Sequence, residues 1–351
     1  MRGFFVALKS TFGATMYNFA LIGCGRIAAR HAENIVKVGR LLAVCDVVPE
    51  KAYGLLKKFD ARVYTNIDDL LQNEPDVNVV SICTPNGLHA EHSIKALRSG
   101  KHVLCEKPMC LTTAAAWQMI DAAYQFEKKL FVVMQNRFNP PVVLLKKLLN
   151  ENKLGTLFSF QVNGFWNRPQ AYYTGDWKGS KNLDGGILYT QFSHFIDVLH
   201  WMLGDVKTVK AISRDFMKRA NTEIEDTIVA VAEMQNGIIG TLNFTVNSFL
   251  KNKEGSFTIF GSKGSVKIGG QYLNELEWLD MEGEPMPPLE MGNAANDYGF
   301  YTGSMSNHQQ VYEHLIQSLQ CKTSNLPDGI EAVKVVETIE KIYKEIEVAN
   351  S

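Results

Sequence analysis

The stretch that most constrains the fold is residues 18–46, where two apolar runs flank a Gly-x-Gly-x-x-Ala turn and a helix-length segment. This order predicts a strand, a tight turn, a helix and a second strand. Gly23 suits the tight turn, Gly25 lets the backbone approach a pyrophosphate, and Ala28 permits close helix–strand packing. Asp46 ends the second run about 20 residues later, where a carboxylate accepts hydrogen bonds from ribose hydroxyls. The stretch therefore predicts a bound dinucleotide.

The same stretch bears on the kind of dinucleotide. A carboxylate at Asp46 repels a 2′-phosphate, and the following residues 47–49 supply no arginine to bind one. We therefore predict NAD rather than NADP. The N-terminus of the helix that follows the turn offers free N–H groups to the phosphates. Arg26 and Ile27, inside the turn, are expected to contact the cofactor as well.

Composition excludes several classes of protein. The 351 residues are enough for two domains, and 46% hydrophobic with 21% charged residues is ordinary for a globular protein. A net charge of −1 argues against a nucleic-acid or membrane-surface role. No apolar run reaches about 18 residues, so no membrane span is expected. The six cysteines show no zinc-ligand or disulfide spacing, which predicts reduced thiols in a cytoplasmic protein without a metal.

Strands and helices alternate as far as residue 138 and predict six strands with helical crossovers. We therefore expect an α/β protein whose residues 16–138 form an NAD-binding Rossmann domain with a doubly wound parallel sheet. Longer alternating strands and two glycine-containing hairpin turns follow, which predict an α+β domain with an open antiparallel sheet at 139–351. An open sheet needs a cover, so we expect a homodimer or homotetramer. Residues 1–15 are expected to be a disordered extension.

Polar residues follow three strands of the predicted parallel sheet. Ligands of such sheets bind outside the carboxyl ends of the strands, so these residues are candidates for the site. A lysine at a strand end is usually a solvated surface residue, and only its position beside the cofactor favours a function for it. The candidates after the fourth, fifth and sixth strands are Thr84, Asn86, His89, Glu106, Lys107, Gln135, Asn136 and Arg137.

A second candidate segment begins with Asp184 and two glycines and continues into a predicted helix. His194 and Asp197 are three residues apart, and Thr190 lies one turn before His194, so these side chains can share a helix face. A lone histidine on a helix is more often structural than catalytic. The face could nevertheless point into a cleft between the two domains.

In their order along the chain, these motifs resemble the glucose–fructose oxidoreductase / inositol dehydrogenase (Gfo/Idh/MocA) family. The resemblance extends from Met16 to the C-terminal helix, and Glu106-Lys107-Pro108 is its most specific element. It implies an NAD-dependent dehydrogenase in which Lys107 takes the hydroxyl proton and His194 positions or polarises that oxygen. A free lysine, with a pKa near 10.4, is a poor base at neutral pH, but burial and the positive nicotinamide lower it. The cofactor contacts implied are Gly23, Gly25, Arg26, Ile27, Asp46, Thr84, Asn86, His89, Glu106, Lys107 and Gln135.

The second half of the chain resembles the sugar-nucleotide branch of that family. This resemblance implies oxidation of the 3-hydroxyl of a UDP-linked N-acetylated glucuronate to a ketone, ahead of transamination in surface-polysaccharide (lipopolysaccharide O-antigen) biosynthesis. Arg168 could pair with a carboxylate or diphosphate, and nearby aromatic rings could stack on uracil or sugar. The substrate contacts implied are Asn136, Arg137, Arg168, Tyr172, Tyr173, Trp177, Thr190, Gln191, His194, Asn307 and His308.

Position 190 departs from the family pattern. Many members that oxidise free polyols have Asp four residues before the histidine and the sugar-nucleotide branch usually has Asn, whereas this chain has Thr190. Two other functions therefore stay open. One is a dehydrogenase of a free polyol or sugar, which predicts an acid at position 190. The other is a non-catalytic NAD-binding sensor, which predicts loss of Lys107 or His194.

Overall fold

The computed structural model describes residues 16–175, 177–283, 288–297, 299 and 301–350, without the side chains of 349 and 350. The predicted N-terminal extension, residues 1–15, lies outside the described residues. Among the helices of the described part, none combines the length and the apolar character needed to cross a membrane.

The N-terminal sheet confirms the predicted Rossmann fold. Its six strands are all parallel and run in the spatial order β3-β2-β1-β4-β5-β6. The strands are β1 (Tyr17–Ile22), β2 (Gly39–Cys45), β3 (Arg62–Tyr64), β4 (Val79–Ile82), β5 (His102–Cys105) and β6 (Leu130–Val132). The helices are α1 (Ala28–Val38), α2 (Pro49–Leu56), α3 (Ile67–Asn73), α4 (His89–Arg98), α5 (Thr113–Gln125) and α6 (Pro140–Asn150).

Local sequence explains how several of these elements begin. The Asn66 side chain accepts hydrogen bonds from the N–H groups of Asp68 and Asp69, at 2.7 and 3.3 Å, and so caps α3. Pro49 occupies the first turn of α2, where its missing N–H has no partner to lose. All four residues of β4 are buried, as expected for a strand covered on both faces.

The second sheet has seven strands in the order β13-β12-β11-β7-β10-β9-β8. Both predicted hairpins are present, as β9/β10 and β11/β12. The sheet is not wholly antiparallel, because β7 and β10 pair in parallel at its centre. The strands are β7 (Leu157–Phe165), β8 (Val206–Arg214), β9 (Thr227–Met234), β10 (Ile239–Thr245), β11 (Glu254–Gly261), β12 (Gly264–Gly269) and β13 (Glu275–Met281).

The two faces of this sheet have different surroundings. On the inner face, Phe244 stacks on Phe192 with ring centroids 4.6 Å apart, and Phe195 packs edge-on against both. On the outer face, Val231 and Ile239 are 54% and 59% exposed. Exposed apolar surface of this kind is typical of protein–protein interfaces. The predicted homo-oligomer therefore stays a proposal.

The segment that carries His194 is a helix, as predicted, but it begins as a π-helix over Leu188–Phe192 and continues as α7 (Ser193–Leu203). The chain then forms the small hairpin β14 (Ala295–Asp297) and β15 (Thr302–Met305), followed by α8 (His308–Leu319) and α9 (Gly329–Asn350). The last two helices return to the first sheet, where Tyr312 of α8 lies edge-on to Phe19, 5.8 Å away. The division at residues 138 and 139 remains a proposal.

Candidate active site

A cavity of about 860 Å³ lies at the carboxyl ends of the parallel strands and extends to the second sheet. Seventeen of the predicted site residues line it, drawn from segments that are distant in the sequence. They are Gly23, Gly25, Arg26, Ile27, Asp46, Thr84, Asn86, His89, Glu106, Lys107, Gln135, Arg168, Tyr172, Trp177, Thr190, Gln191 and His194.

The two glycines of the turn have different roles. Gly23 has φ +92°, and a Cβ there would lie 2.6 Å from the Cys83 backbone, so the turn itself requires glycine. A Cβ on Gly25 would meet no protein atom within 4 Å, which leaves that space for a ligand. Asp46 accepts hydrogen bonds from the backbone N–H groups of Cys24 and Val48, at 2.7 and 2.9 Å. The carboxylate is thus fixed beside the turn, and the residues fit a dinucleotide.

Lys107 lines the cavity beyond the end of β5. Its ammonium nitrogen donates a hydrogen bond to the carbonyl oxygen of Thr190, 2.6 Å away, in the π-helix. Burial lowers the pKa of Lys107 to about 8, and the positive charges of Lys178 and Arg168 act in the same direction, while Glu106 opposes them. A lysine with this pKa can serve as a general base near neutral pH.

Two histidines contact the carboxylate of Glu106, the residue that precedes Lys107. Its carboxylate accepts a hydrogen bond from His31 at 2.8 Å, and the ring of His308 lies 3.5 Å from the same oxygen. Burial raises the pKa of Glu106, but the hydrogen bonds and charges of His308 and His31 outweigh it and hold the pKa well below its usual value. Glu106 is therefore a fixed negative charge beside Lys107.

His194 is fully enclosed at the cavity wall. Burial lowers the pKa of His194 well below its usual value, and the charge of Lys107 lowers it further. Its Nδ1 has no hydrogen-bond partner among the described residues. A neutral imidazole beside Lys107 can exchange a hydrogen bond with a substrate hydroxyl.

The hydrogen bonds of Thr190 link cavity residues that come from the parallel sheet and from the second half of the chain. Asn86, at the end of β4, donates hydrogen bonds to the Thr190 hydroxyl and to the Asp184 carbonyl oxygen, each at 2.8 Å. The Thr190 hydroxyl in turn donates to the Asp184 carboxylate. The acid expected at position 190 in polyol-oxidising members is therefore replaced by a hydroxyl that contacts a buried carboxylate.

Arg168 is a buried cation in the wall of the cavity, with 1% of its surface exposed. It donates to the Gln191 side chain at 2.7 Å and lies over the rings of Trp166 and Tyr172 at 5.0 and 5.4 Å. Burial lowers the pKa of Arg168. No carboxylate pairs with it among the described residues.

Five predicted substrate contacts do not line this cavity, and their contact with substrate stays a prediction: Asn136, Arg137, Tyr173, Asn307 and His308. Arg137 instead forms a buried two-point ion pair with Asp197, at 2.7 and 2.9 Å. This pair also removes Asp197 from the face that points into the cavity. Asn307 donates to Gln135 and Asn139, and His308 packs against Glu106.

Lys178 and Tyr301 also line the cavity, and neither was among the predicted site residues. Lys178 directly follows a predicted substrate contact, Trp177, and its charge gave no reason to expect an enclosed position. Its ammonium group lies over the rings of Tyr172 and Trp177, at 4.1 and 4.6 Å from their centroids. The local signal was the group of aromatic residues that precedes it, Tyr172, Tyr173 and Trp177.

Comparison with protein families gives two matches that together span most of the chain. The profile for the NAD-binding Rossmann fold of the Gfo/Idh/MocA oxidoreductase family matches residues 17–134. The profile for the C-terminal alpha/beta domain of the same family matches residues 146–348. The NAD cofactor predicted from the turn is therefore confirmed.

Individual relatives include a dehydrogenase crystallised with UDP-GlcNAcA and dehydrogenases named for inositol and for D-glucosides. The crystal structure of the WlbA dehydrogenase from Bordetella pertussis, in complex with NADH and UDP-GlcNAcA, is similar with a TM-score of 0.85 and 31% identity, over 95% of this chain and 96% of that one. Inositol 2-dehydrogenase from Salmonella typhimurium is 29% identical over 260 residues, 71% of this chain and 72% of its own. D-glucoside 3-dehydrogenase from Escherichia coli is 26% identical over 360 residues, 97% and 98% of the two chains.

Proposed function

The chain belongs to the Gfo/Idh/MocA oxidoreductase family, and on that premise we propose that it oxidises the 3-hydroxyl of a UDP-linked N-acetylated glucuronate to a ketone, with NAD as the oxidant. The product would be the substrate of a transamination in surface-polysaccharide biosynthesis. The proposal includes a homo-oligomer and a cytoplasmic setting. All six cysteines are free thiols, which suits a reducing compartment.

The observation that carries the proposal is the charge at the substrate end of the cavity. Arg168 and Lys178 both line it, and neither pairs with a carboxylate among the described residues. Burying a cation without a counter-ion is unfavourable, so the arrangement favours an anionic ligand. A neutral polyol offers no anion, whereas a UDP-linked uronate carries a diphosphate and a carboxylate.

The remaining residues account for the chemistry. NAD, held by the turn at Gly23 and Gly25 and by Asp46, would supply the acceptor for the hydride of the carbinol carbon. Lys107 takes the proton from the hydroxyl oxygen, and its contact with the Thr190 carbonyl fixes the nitrogen at the cavity wall. His194, neutral because it is buried, hydrogen-bonds the same oxygen and orients it. The C–H and O–H bonds of the carbinol would thus be broken separately, with the hydride going to the cofactor and the proton to Lys107.

The relatives support this reading and also provide the alternative. The Bordetella pertussis relative was crystallised with UDP-GlcNAcA, and this chain matches nearly all of its length. The inositol 2-dehydrogenase relative would favour a free polyol. Against that alternative stand the Thr190 hydroxyl in place of an acid and the unpaired cations at the substrate end.

A substrate panel tests the proposal. Initial rates would be measured with NAD and UDP-GlcNAcA, UDP-GlcNAc, myo-inositol or glucose, with and without 2-oxoglutarate, from the absorbance of reduced nicotinamide. We expect kcat/KM for UDP-GlcNAcA to exceed the others by about 100-fold or more, because buried groups left unpaired reject an analogue strongly. Substrate deuterated at C3 should yield deuterated nicotinamide. Faster turnover of myo-inositol than of UDP-GlcNAcA would contradict the assignment.

A further inference from the structure

Lys178 occupies an unusual position for a lysine. Its ammonium nitrogen donates a hydrogen bond to the Tyr172 hydroxyl and lies over the faces of Tyr172 and Trp177. Asp184, whose negative charge acts on Lys178, is already engaged, because its carboxylate accepts from the Thr190 hydroxyl and from the Gly179 N–H at 2.9 Å. Lys178 therefore lines the cavity as a cation without a carboxylate partner among the described residues.

The charged and titratable groups around Lys178 come from several elements. Tyr301, beside β15, and Asp184 favour its charged form, while Arg26 of the dinucleotide turn and Arg168 disfavour it. Burial is the largest influence, and with the two arginines it outweighs Tyr301 and Asp184 and lowers the pKa of Lys178 to about 8. The group is therefore divided between its neutral and charged forms at mildly alkaline pH.

Lys107 and Lys178 line the same cavity, and the positive charge of Lys178 lowers the pKa of Lys107. An anion bound by Lys178 would therefore share this cavity with the reacting carbon. An anion held there would belong to the substrate, since the phosphates of the dinucleotide lie at the Gly25 turn.

We propose that Lys178 binds an anionic group of the substrate, the sugar carboxylate or the diphosphate, and takes up a proton as it does so. The inference rests on the proposed function and adds to it the residue that recognises the anion. A neutral amine gains little from a neighbouring anion, whereas an ammonium group gains a charge-assisted hydrogen bond. Binding should therefore stabilise the charged form of Lys178 and draw a proton from solvent.

The test is calorimetry on the enzyme saturated with NADH, which cannot accept a hydride, so that UDP-GlcNAcA binds without turnover. Titrations at pH 9 in two buffers of different ionisation enthalpy give the number of protons taken up. Lys107 also titrates near this pH, so the titrations are repeated in Lys107→Met. In that variant, proton uptake by Lys107 no longer adds to uptake by Lys178. UDP-GlcNAc, which lacks the carboxylate, and UDP distinguish the two anionic groups.

Three variants separate charge from structure. Lys178→Met should weaken UDP-GlcNAcA binding by about 10- to 100-fold, the usual effect of losing a hydrogen bond to a charged group, and abolish proton uptake. Lys178→Arg, which is always charged, should bind UDP-GlcNAcA without proton uptake. Lys181→Met, on the exposed side of the same loop, is the matched control and should behave as the parent. Unfolding temperatures and NADH affinity report on the fold.

The outcomes are distinguishable. Binding by Lys178→Met within threefold of the parent, or proton uptake that persists in Lys178→Arg, overturns the inference and leaves the proposed function intact. Failure of the parent enzyme to bind UDP-GlcNAcA overturns both. If the effect of Lys178→Met disappears with UDP-GlcNAc, Lys178 binds the carboxylate, and if it persists with UDP, it binds the diphosphate.

Discussion

The general-base role of Lys107 predicts the pH dependence of turnover. Burial lowers the pKa of Lys107 from 10.5 to about 8. Protonation removes the lone pair that accepts the hydroxyl proton, so activity is lost as the pH falls through this pKa. At pH 7 about one tenth of Lys107 molecules are neutral, roughly 300-fold more than for an unperturbed lysine. The enclosed position of Lys107 thus makes the basic form available at neutral pH, where an unperturbed lysine is almost wholly protonated.

The assay is kcat measured with saturating NAD and sugar substrate between pH 6 and 10. Saturation matters because titration of Lys178 then affects KM rather than kcat. We expect kcat to rise about tenfold per pH unit up to about pH 8 and then to level off. Lys107→Met should lose about 10²- to 10⁴-fold in kcat, and its residual kcat should not rise with pH in this way. Its affinity for NAD should be nearly unchanged.

Two results would refute this reasoning. If Lys107→Met keeps more than about a tenth of the parent kcat, the base lies elsewhere, since loss of a general base has a larger effect. If the rise of kcat with pH persists in Lys107→Met, another group is the base, and His194 is the first candidate. In that case His194→Ala, which we expect to slow turnover less than Lys107→Met does, should instead have the larger effect.

Three further predictions concern the cofactor and the assembly. The protein should bind NAD more tightly than NADP, and Asp46→Ala should narrow the difference; tighter NADP binding by the parent in fluorescence titration would contradict this. Gly25→Val should keep the parental unfolding temperature but lose NAD, whereas Gly23→Ala should also lower the unfolding temperature, because only Gly23 has φ +92° and a backbone neighbour 2.6 Å from the added Cβ. Sedimentation at micromolar concentration should show an oligomer, weakened when the exposed outer-face residues Val231 and Ile239 are both changed to Asp; a monomeric parent would refute the proposal.

The features that could be predicted from sequence are those decided by neighbouring residues. The turn at Gly23 and Gly25, the capping of α3 by Asn66 and the buried strand β4 each depend on residues only a few positions apart. The hairpin β9/β10 is local in the same way. The place of Lys107 at a strand end follows as well, because parallel strands deliver their carboxyl ends to one edge of a sheet.

Tertiary structure alone decided which charges face the cavity. Arg137 follows β6 as a ligand would, but it is removed from the cavity by Asp197, 60 residues further along the chain. Lys178 lies on a loop, where a lysine is usually exposed. In the folded chain it is instead enclosed by aromatic rings, including Tyr301 beside a hairpin distant in the sequence. The pairing and the desolvation of a charged side chain depend on segments that meet only in the folded chain. The sequence therefore determined the fold and the cofactor turn, whereas long-range packing determined which cations remain available to a substrate.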